Sequence, residues 1–336
     1  MDTVTHTLLG AAIGEAILGK RIGRKAMFYG ALMSNLPDID VLGILLLSDS
    51  QQLLFHRGIT HSFFFVILIS ALLGWLSKRW HNDRNINWID WTWLFSITLL
   101  SHLLLDSSTC YGVGLFEPFS NKRISFNTIF VADPFYTLPL LIGLLLPLVT
   151  KADFSKKQRW NTIGLTISSC YLVFTFLTHE YVQRIMKKSF NEQQLVSDNF
   201  TVTPTPLNTF LWMGYSHDAK GALIGYYSIF DKIKKIDYHR LERNDSLLIP
   251  FEKEESVKNL KQLSKENYII TKEDSIVYFN DIRFGQVSGW NNADGPFAFK
   301  FNLNKNANNK RALNRIKYKE STYEWFISLV NRIKGK

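Results

Sequence analysis

Cysteine is almost missing from this sequence. Two in 336 residues, Cys110 and Cys170, cannot build a disulfide framework or a cysteine-rich zinc site. They also carry no signal of redox compartment. An internal repeat, a glycine-rich nucleotide loop and a DNA-binding motif are missing too. The start has no basic segment ahead of an apolar core and no cleavage site. Met1-Asp2-Thr3 therefore reads as a retained N-terminus and not as a signal peptide. Long apolar runs are also in short supply. The strongest, His61–Ser77, Trp91–Leu105, Pro134–Thr150 and Asn161–Thr178, have 15 to 18 residues, short of the roughly 20 that span a bilayer comfortably.

What is present is unevenly spread. Residues 1–180 hold 14 Lys+Arg and 12 Asp+Glu, whereas 181–336 hold 25 and 17. The first part is apolar with its charges in clumps, and the second has the composition of an ordinary soluble domain. A single soluble domain, a disordered chain and a collagen-like chain are excluded. The sequence divides into a transmembrane helical domain over 1–180 and a soluble α+β domain over 190–336.

Trp75, Trp80, Trp88, Trp91, Trp93 and Trp160 flank the four strong stretches and supply the missing length as interfacial anchors. Two weaker spans precede them. Thr3–Gly19 contains Glu15 but is rich in Gly10, Ala11, Ala12 and Gly14, small residues that let helices approach closely in lipid. Ala26–Ser48 is apolar except around Pro37-Asp38-Ile39-Asp40. Two carboxylates in a span are expensive, so this segment is expected to pack against protein or line a polar cavity. The fold class is an α-helical membrane bundle of about six spans followed by a small α+β domain.

Basic residues set the orientation. Linkers on one side carry Lys20, Arg21, Arg24, Lys25, Lys78, Arg79, Arg84, Lys151, Lys156, Lys157 and Arg159. Those on the other carry Arg57, Lys122 and Arg123. Eleven against three places the first set in the cytoplasm. The protein is expected in the inner membrane, with its C-terminal domain facing outward.

After about residue 190 the period changes to that of strands. Thr201–Thr205, Leu207–Tyr215, Ala222–Phe230, Tyr268–Thr271, Ile276–Phe279 and Phe297–Leu303 read as strands, the second and third joined by a turn at Ser216–Gly221. Glu254–Lys265 and Thr322–Ile333 read as helices. The basic excess of this region fits a solvated surface beside anionic lipid, and no nucleic-acid partner is expected.

The chemistry candidates are His6, Asp38, Asp40, His56, His61, His102, Asp106 and Asp133. They are far apart in sequence, yet the topology brings them to one side at one depth, and the charge count made no use of them. His102 and Asp106 are an i,i+4 pair on one helix face, able to share a metal or to act as ligand and orienting carboxylate. Taken singly, a histidine fits core packing, a Pro-Asp fits a hydrated kink, and an intramembrane Asp pair fits a proton relay. Together, imidazoles and carboxylates suit zinc or manganese. With this many donors, one ion or more can be held. Paired metals suit phosphoester hydrolysis.

The motifs Asp2-Thr-Val-Thr-His6-Thr, Leu36-Pro-Asp38-Ile-Asp40, His56-Arg-Gly-Ile-Thr-His61-Ser62 and His102-Leu-Leu-Leu-Asp106, with Glu117-Pro118-Phe119-Ser120 and Ala132-Asp133-Pro134, resemble the membrane-bound metal-dependent hydrolases of the YdjM/DUF457 type. The resemblance covers about residues 1–180. That family is distantly similar to zinc-dependent phospholipase C and P1-type nuclease, which implies a hydrolytic role for His6, Asp38, His56, His61, His102 and Asp106. Glu117 departs from the pattern, standing where an aromatic residue is expected.

The leading expectation is an integral membrane metal-dependent hydrolase acting on a phosphoester or lipid-linked substrate at the outer interface. His6, Asp38, His56, His61, His102 and Asp106 would hold the metal. Asp40 would be a further ligand or the general base. Arg57 and Arg123 fit either a bidentate phosphate clamp or interfacial snorkelling. Asp133 is an accessory candidate. The bilayer is the expected partner, with a phospholipid or lipid-linked substrate. Two alternatives stand: a transporter or metal-ion carrier, which calls for midplane ligands and an inverted repeat, and a non-enzymatic membrane scaffold.

Overall fold

The architecture is that of a computed structural model, which describes residues 1–45, 51, 54–81, 86–150, 153–195, 199–218, 221–304 and 322–335. Arg84, Lys151, Ala219, Lys220 and residues 46–48 of the expected second span lie outside the described residues. The chain forms two compact units. The first comprises Met1–Gly43, Phe55–Phe176 and Pro206–Asn208, and the second Ile44–Leu54, Leu177–Thr205 and Thr209–Lys336.

The first unit is helical. Helix α1 (Thr3–Ile22) starts at Asp2, whose carboxylate accepts the Thr5 amide at 2.9 Å. This is the ordinary N-cap solution to the orphan amides of a helix start. It ends at Gly23, at φ +59°, where the backbone turns into α2 (Arg24–Ser34). The two helices run back to back along a seam of small residues. A Cβ on Gly10 would lie 2.3 Å from the Gly30 carbonyl oxygen, and one on Gly14 would lie 2.1 Å from that of Ala26. Only bare backbone fits there.

Helix α3 (Phe63–Trp80) is capped by Ser62, which accepts the Phe65 amide. Helix α4 (Trp88–Ser107) returns beside it. The Arg21–Asp90 ion pair, at 2.9 Å, ties the end of α1 to the start of α4. Helix α5 (Pro134–Val149) is followed by α6 (Phe154–Glu192), which is shared by the two units. Asn161 of α6 donates to the Ala12 carbonyl at 2.9 Å, and Ser168 to that of Tyr136 at 2.8 Å.

Three described helices, α3, α4 and α6, are long and apolar enough to cross a membrane. Their outward side chains fit that solvent: Ile67, Trp93 and Val173 are more than half exposed. The expectation of six full spans is corrected. The second does not form as one helix. α2 has 11 residues, about 16 Å of rise, and gives way to a 3₁₀ segment over Pro37–Leu45. Pro37 offers no amide and its ring crowds the preceding turn, and the two aspartates gain partners only where the helix opens. α5, at 16 residues, is also shorter than a full span.

The second unit is α+β. Four antiparallel strands run in the order β1 (Thr201–Pro204), β2 (Leu211–Asp218), β3 (Gly221–Ser228), β4 (His239–Glu242). In register, Thr203 opposes Met213 and Tyr215 opposes Ile224. A second antiparallel sheet has the order β5 (Tyr268–Glu273), β6 (Ile276–Asp281), β7 (Lys300–Asn302). Helices α7 (Glu255–Ser264) and α8 (Thr322–Ile333) accompany them. Val257 and Leu260 of α7 pack on Tyr268, Ile270 and Phe279. The strand β4 has no counterpart in the sequence reading, because HRLE is polar and its burial is low.

Candidate metal centre

The candidate residues gather where α1 begins, α2 and α4 end and α3 begins. His6 is in the first turns of α1, His102 and Asp106 are in the last turns of α4, and His61 immediately precedes α3. Asp38 and Asp40 enter from the 3₁₀ segment after α2. His6, His61, His102 and Asp106 have no solvent exposure, and Asp38 is partly open.

Two groups of donors form. In the first, one atom each from Asp38, His61, His102 and Asp106 lies within 4.8 Å of the others. The Nε2 atoms of His61 and His102 are 3.1 Å apart. His61 Nε2 is 3.3 Å from Asp38 Oδ1 and 3.6 Å from Asp106 Oδ2, and His102 Nε2 is 3.8 Å from each of those oxygens. In the second group are Asp38, Asp40 and His56. Asp38 belongs to both.

Neighbouring groups select the tautomers. His102 Nδ1 is 2.6 Å from the Ser34 carbonyl oxygen, which can only accept, so Nδ1 carries the proton. The Thr60 hydroxyl donates to Asp40 Oδ2 at 2.9 Å and is 3.0 Å from His61 Nδ1. That nitrogen therefore donates to Thr60. In both neutral rings Nε2 is the bare nitrogen, and the two bare nitrogens face each other beside two carboxylate oxygens. Asp106 Oδ2 is buried without a hydrogen bond. Four acceptors converge, with one cation, Arg57 Nε, 3.0 Å from Asp106 Oδ2; the two facing imidazole nitrogens call for a further one. Donor atoms about 2.0–2.2 Å from one tetrahedral ion sit about 3.3–3.6 Å apart, which the observed spacings bracket. These His/Asp groups are capable of coordinating a divalent metal ion.

The other candidates have different surroundings. His6 stacks on His102 with ring centroids 3.8 Å apart, and its Nε2 is 3.0 Å from Asp106 Oδ1. It meets the far oxygen of Asp106, outside the first donor group. The Met1 amino group contacts the same oxygen. Asp40 is fully engaged: Oδ1 faces His56 Nδ1 at 2.7 Å, and Oδ2 accepts from the Arg57 amide and Thr60. Arg57 sits at φ +64°, a left-handed conformation that costs a non-glycine residue on the order of 1–2 kcal/mol. Its backbone amide is held by Asp40, and its Nε is 3.0 Å from Asp106 Oδ2 with 6% of the side chain exposed.

Arg123 donates to the His56 carbonyl at 2.9 Å. Asp133 stands apart, with Oδ1 accepting the Phe135 amide and Oδ2 the Tyr171 hydroxyl, both at 2.9 Å. Burial pushes the Asp133 carboxyl up to about 6 against those hydrogen bonds. Burial also pushes Glu117 up, opposed by the charge of Arg123.

Sequence reasoning missed Thr60 and the Ser34 carbonyl, which fix the two imidazoles. Thr60 lies inside the His56–His61 motif and could have been read as a hydroxyl beside a ligand. No side-chain pattern announces a backbone carbonyl.

Residues 1–182 match the family model described as YdjM inner membrane protein. The chain is 35% identical over 123 residues to the inner membrane protein YbcI of Escherichia coli (strain K12), an alignment covering 36% of this chain and 69% of that protein. No solved structure matches.

Proposed function

This chain belongs to the YdjM inner membrane protein family, and from that premise we propose that it is a metal-dependent hydrolase of phosphoesters, acting on a lipid or lipid-linked substrate at the outer face of the inner membrane. The observation that carries the reading is the donor group of Asp38, His61, His102 and Asp106, whose ligand atoms lie within 4.8 Å of one another. Its position at helix ends suits an interfacial site better than the midplane site of a carrier. Phe55, Ile59, Phe63, Phe64, Phe116 and Phe119 are exposed on the segments around it. An aromatic collar of this kind suits headgroup depth.

In this reading Asp38, His61, His102 and Asp106 hold the ion, with zinc favoured over manganese by the imidazole content. Asp38, common to both donor groups, would hold the ion from the partly open side of the site. A bound divalent ion supplies a Lewis acid and a nucleophile active near neutral pH. The remaining work falls to the chain. Asp40 orients His61 through Thr60 and fixes His56 at Nδ1, which leaves Nε2 of His56 to accept a proton at the partly open edge of the site. With both oxygens engaged, Asp40 is an orienting residue more than a base. Arg57 faces inward and balances Asp106, so the role of phosphate clamp passes to Arg123. His6 positions Asp106 by stacking and hydrogen bonding. The three long helices α3, α4 and α6 cross the bilayer, the shorter α2 and α5 enter only part of it, and the second unit lies outside.

The test is purified full-length protein assayed for bound metal and for phosphodiester and phospholipid hydrolysis. Stoichiometric zinc or manganese with chelator-sensitive turnover is the expected result. Metal-bound protein inert toward every phosphoester class would overturn the hydrolase reading.

A further inference from the structure

The segment after α4 contains, besides Asp133, one acidic side chain that the proposed mechanism does not use, Glu117. Glu117 opens the motif Glu117-Pro118-Phe119-Ser120. Its loop is tied to the metal-binding segment by backbone hydrogen bonds: the Gly114 amide donates to the Arg57 carbonyl at 2.9 Å, and the Phe63 amide to that of Leu115 at 3.0 Å. The half-buried carboxylate lies in a cradle of two glycines. A Cβ on Gly114 would fall 2.6 Å from Oε1, and one on Gly58 would fall 3.0 Å from Oε2. Either side chain would displace it. Glu117 is outside both donor groups, so it is not needed to hold an ion. The Gly58 contact puts it against the turn between His56 and His61.

Beside the centre, then, are a guanidinium at Arg123 and a carboxylate at Glu117, held on adjoining segments and flanked by the exposed rings of Phe116 and Phe119. A purely anionic phosphate gains from the first and is repelled by the second. A phosphoester that also carries an ammonium group gains from both, because charge-assisted hydrogen bonds form at each end. We propose that Glu117 is the specificity-determining residue of the site and receives the amine of an amine-bearing phosphoester, the chemistry of an ethanolamine phosphate headgroup. This rests on the reading of the centre as a phosphoester site.

The experiment is calorimetric titration of the zinc-loaded, full-length protein in detergent. The probes are 2-aminoethyl phosphate and propyl phosphate, which have nearly the same shape and differ in the amine. Wild type should bind the amine probe about tenfold more tightly, the scale of one partly exposed charged hydrogen bond. Glu117→Gln should erase the preference and Glu117→Asp should keep part of it. Equal affinity of wild type for the two probes, binding of neither, or a preference that survives in Glu117→Gln overturns the assignment. A second arm uses short-chain phosphatidylethanolamine and phosphatidic acid as competitors. A Glu117-dependent preference there places the amine on a lipid, whereas a preference confined to the soluble probes places it on a free phosphoester. Preserved preference without turnover would retire the hydrolase reading and leave Glu117 as the amine receptor. Turnover without preference would do the reverse.

Discussion

His61 and His102 point their Nε2 atoms at each other across 3.1 Å, and each ring is held in that pose by a partner on its other nitrogen. Two lone pairs in opposition are repulsive, so whatever lies between them governs the stability of the helix ends that carry them. A bound cation stabilises the folded state by mass action. Chelation should lower the thermal midpoint of the purified protein, and zinc should restore it. His102→Ala and Asp106→Ala should each lose bound metal and show no chelator effect. A midpoint indifferent to chelator in the wild type would mean that a shared proton, and not a metal, joins the rings.

Asp38 and Asp40 flank the same imidazole on opposite edges, at 3.3 Å from Nε2 and 3.5 Å from Nδ1. Their substitutions should therefore separate. Asp38→Asn should leave the protein metal-free under ordinary purification. Asp40→Asn should weaken binding by about 10–100-fold, the usual cost of losing an orienting partner. Metal titration of the two variants measures this directly. Equal losses would place both oxygens on the ion.

Topology offers an independent check. A reporter fused after residue 85 or 155 should read cytoplasmic, and one after residue 115 or at the C-terminus external. The Lys20, Arg21, Arg24 and Lys25 cluster lies at the opposite end of α1 from His6. A cytoplasmic C-terminus would therefore place the metal centre on the inner face as well.

Asp133 gives a pH dependence whose sign can be worked out. Its folded pKa of about 6 lies above the ordinary carboxylate value, so the folded state holds the proton more tightly than the unfolded one. Stability should fall as pH rises from about 4 through 6 and stay level above that. The loss is on the order of 3 kcal/mol for a shift of this size. Asp133→Asn can still accept from Phe135 and pair with Tyr171. It should unfold at a higher temperature than wild type at pH 7.5 and lack the slope between pH 4 and 6. Thermal unfolding across that range decides the point.

Much of the centre was legible because its residue types are conspicuous in an apolar setting. His102 and Asp106 four apart on a helix, and Asp38 and Asp40 beside a proline, announce themselves where charge is costly. The helix boundaries were less visible. Hydropathy over Ala26–Ser48 is continuous, yet the backbone breaks after Ser34, because the gain from giving two aspartates partners outweighs one further turn of helix. Arg57 could not be told from a surface arginine by composition. Its inward turn depends on Asp40 capturing its amide, a contact between segments that no local pattern encodes. In the second unit aromatic and β-branched content around a turn revealed β2 and β3, whereas β4, polar and scarcely buried, offers no such signature.

The unfinished helix α2 has one further consequence. A helix that stops leaves its last carbonyls without amide partners, and the one on Ser34 is the acceptor that fixes His102. Regularity and coordination are therefore mutually exclusive at this place. A chain that healed the interruption, for example by replacing Pro37 with a strong helix former, would turn the Ser34 carbonyl back into its own helix. His102 would then be free to rotate or to protonate at either nitrogen. The candidate centre is built on a fault line, and descendants of this sequence that straighten the second helix should be found unable to bind metal there.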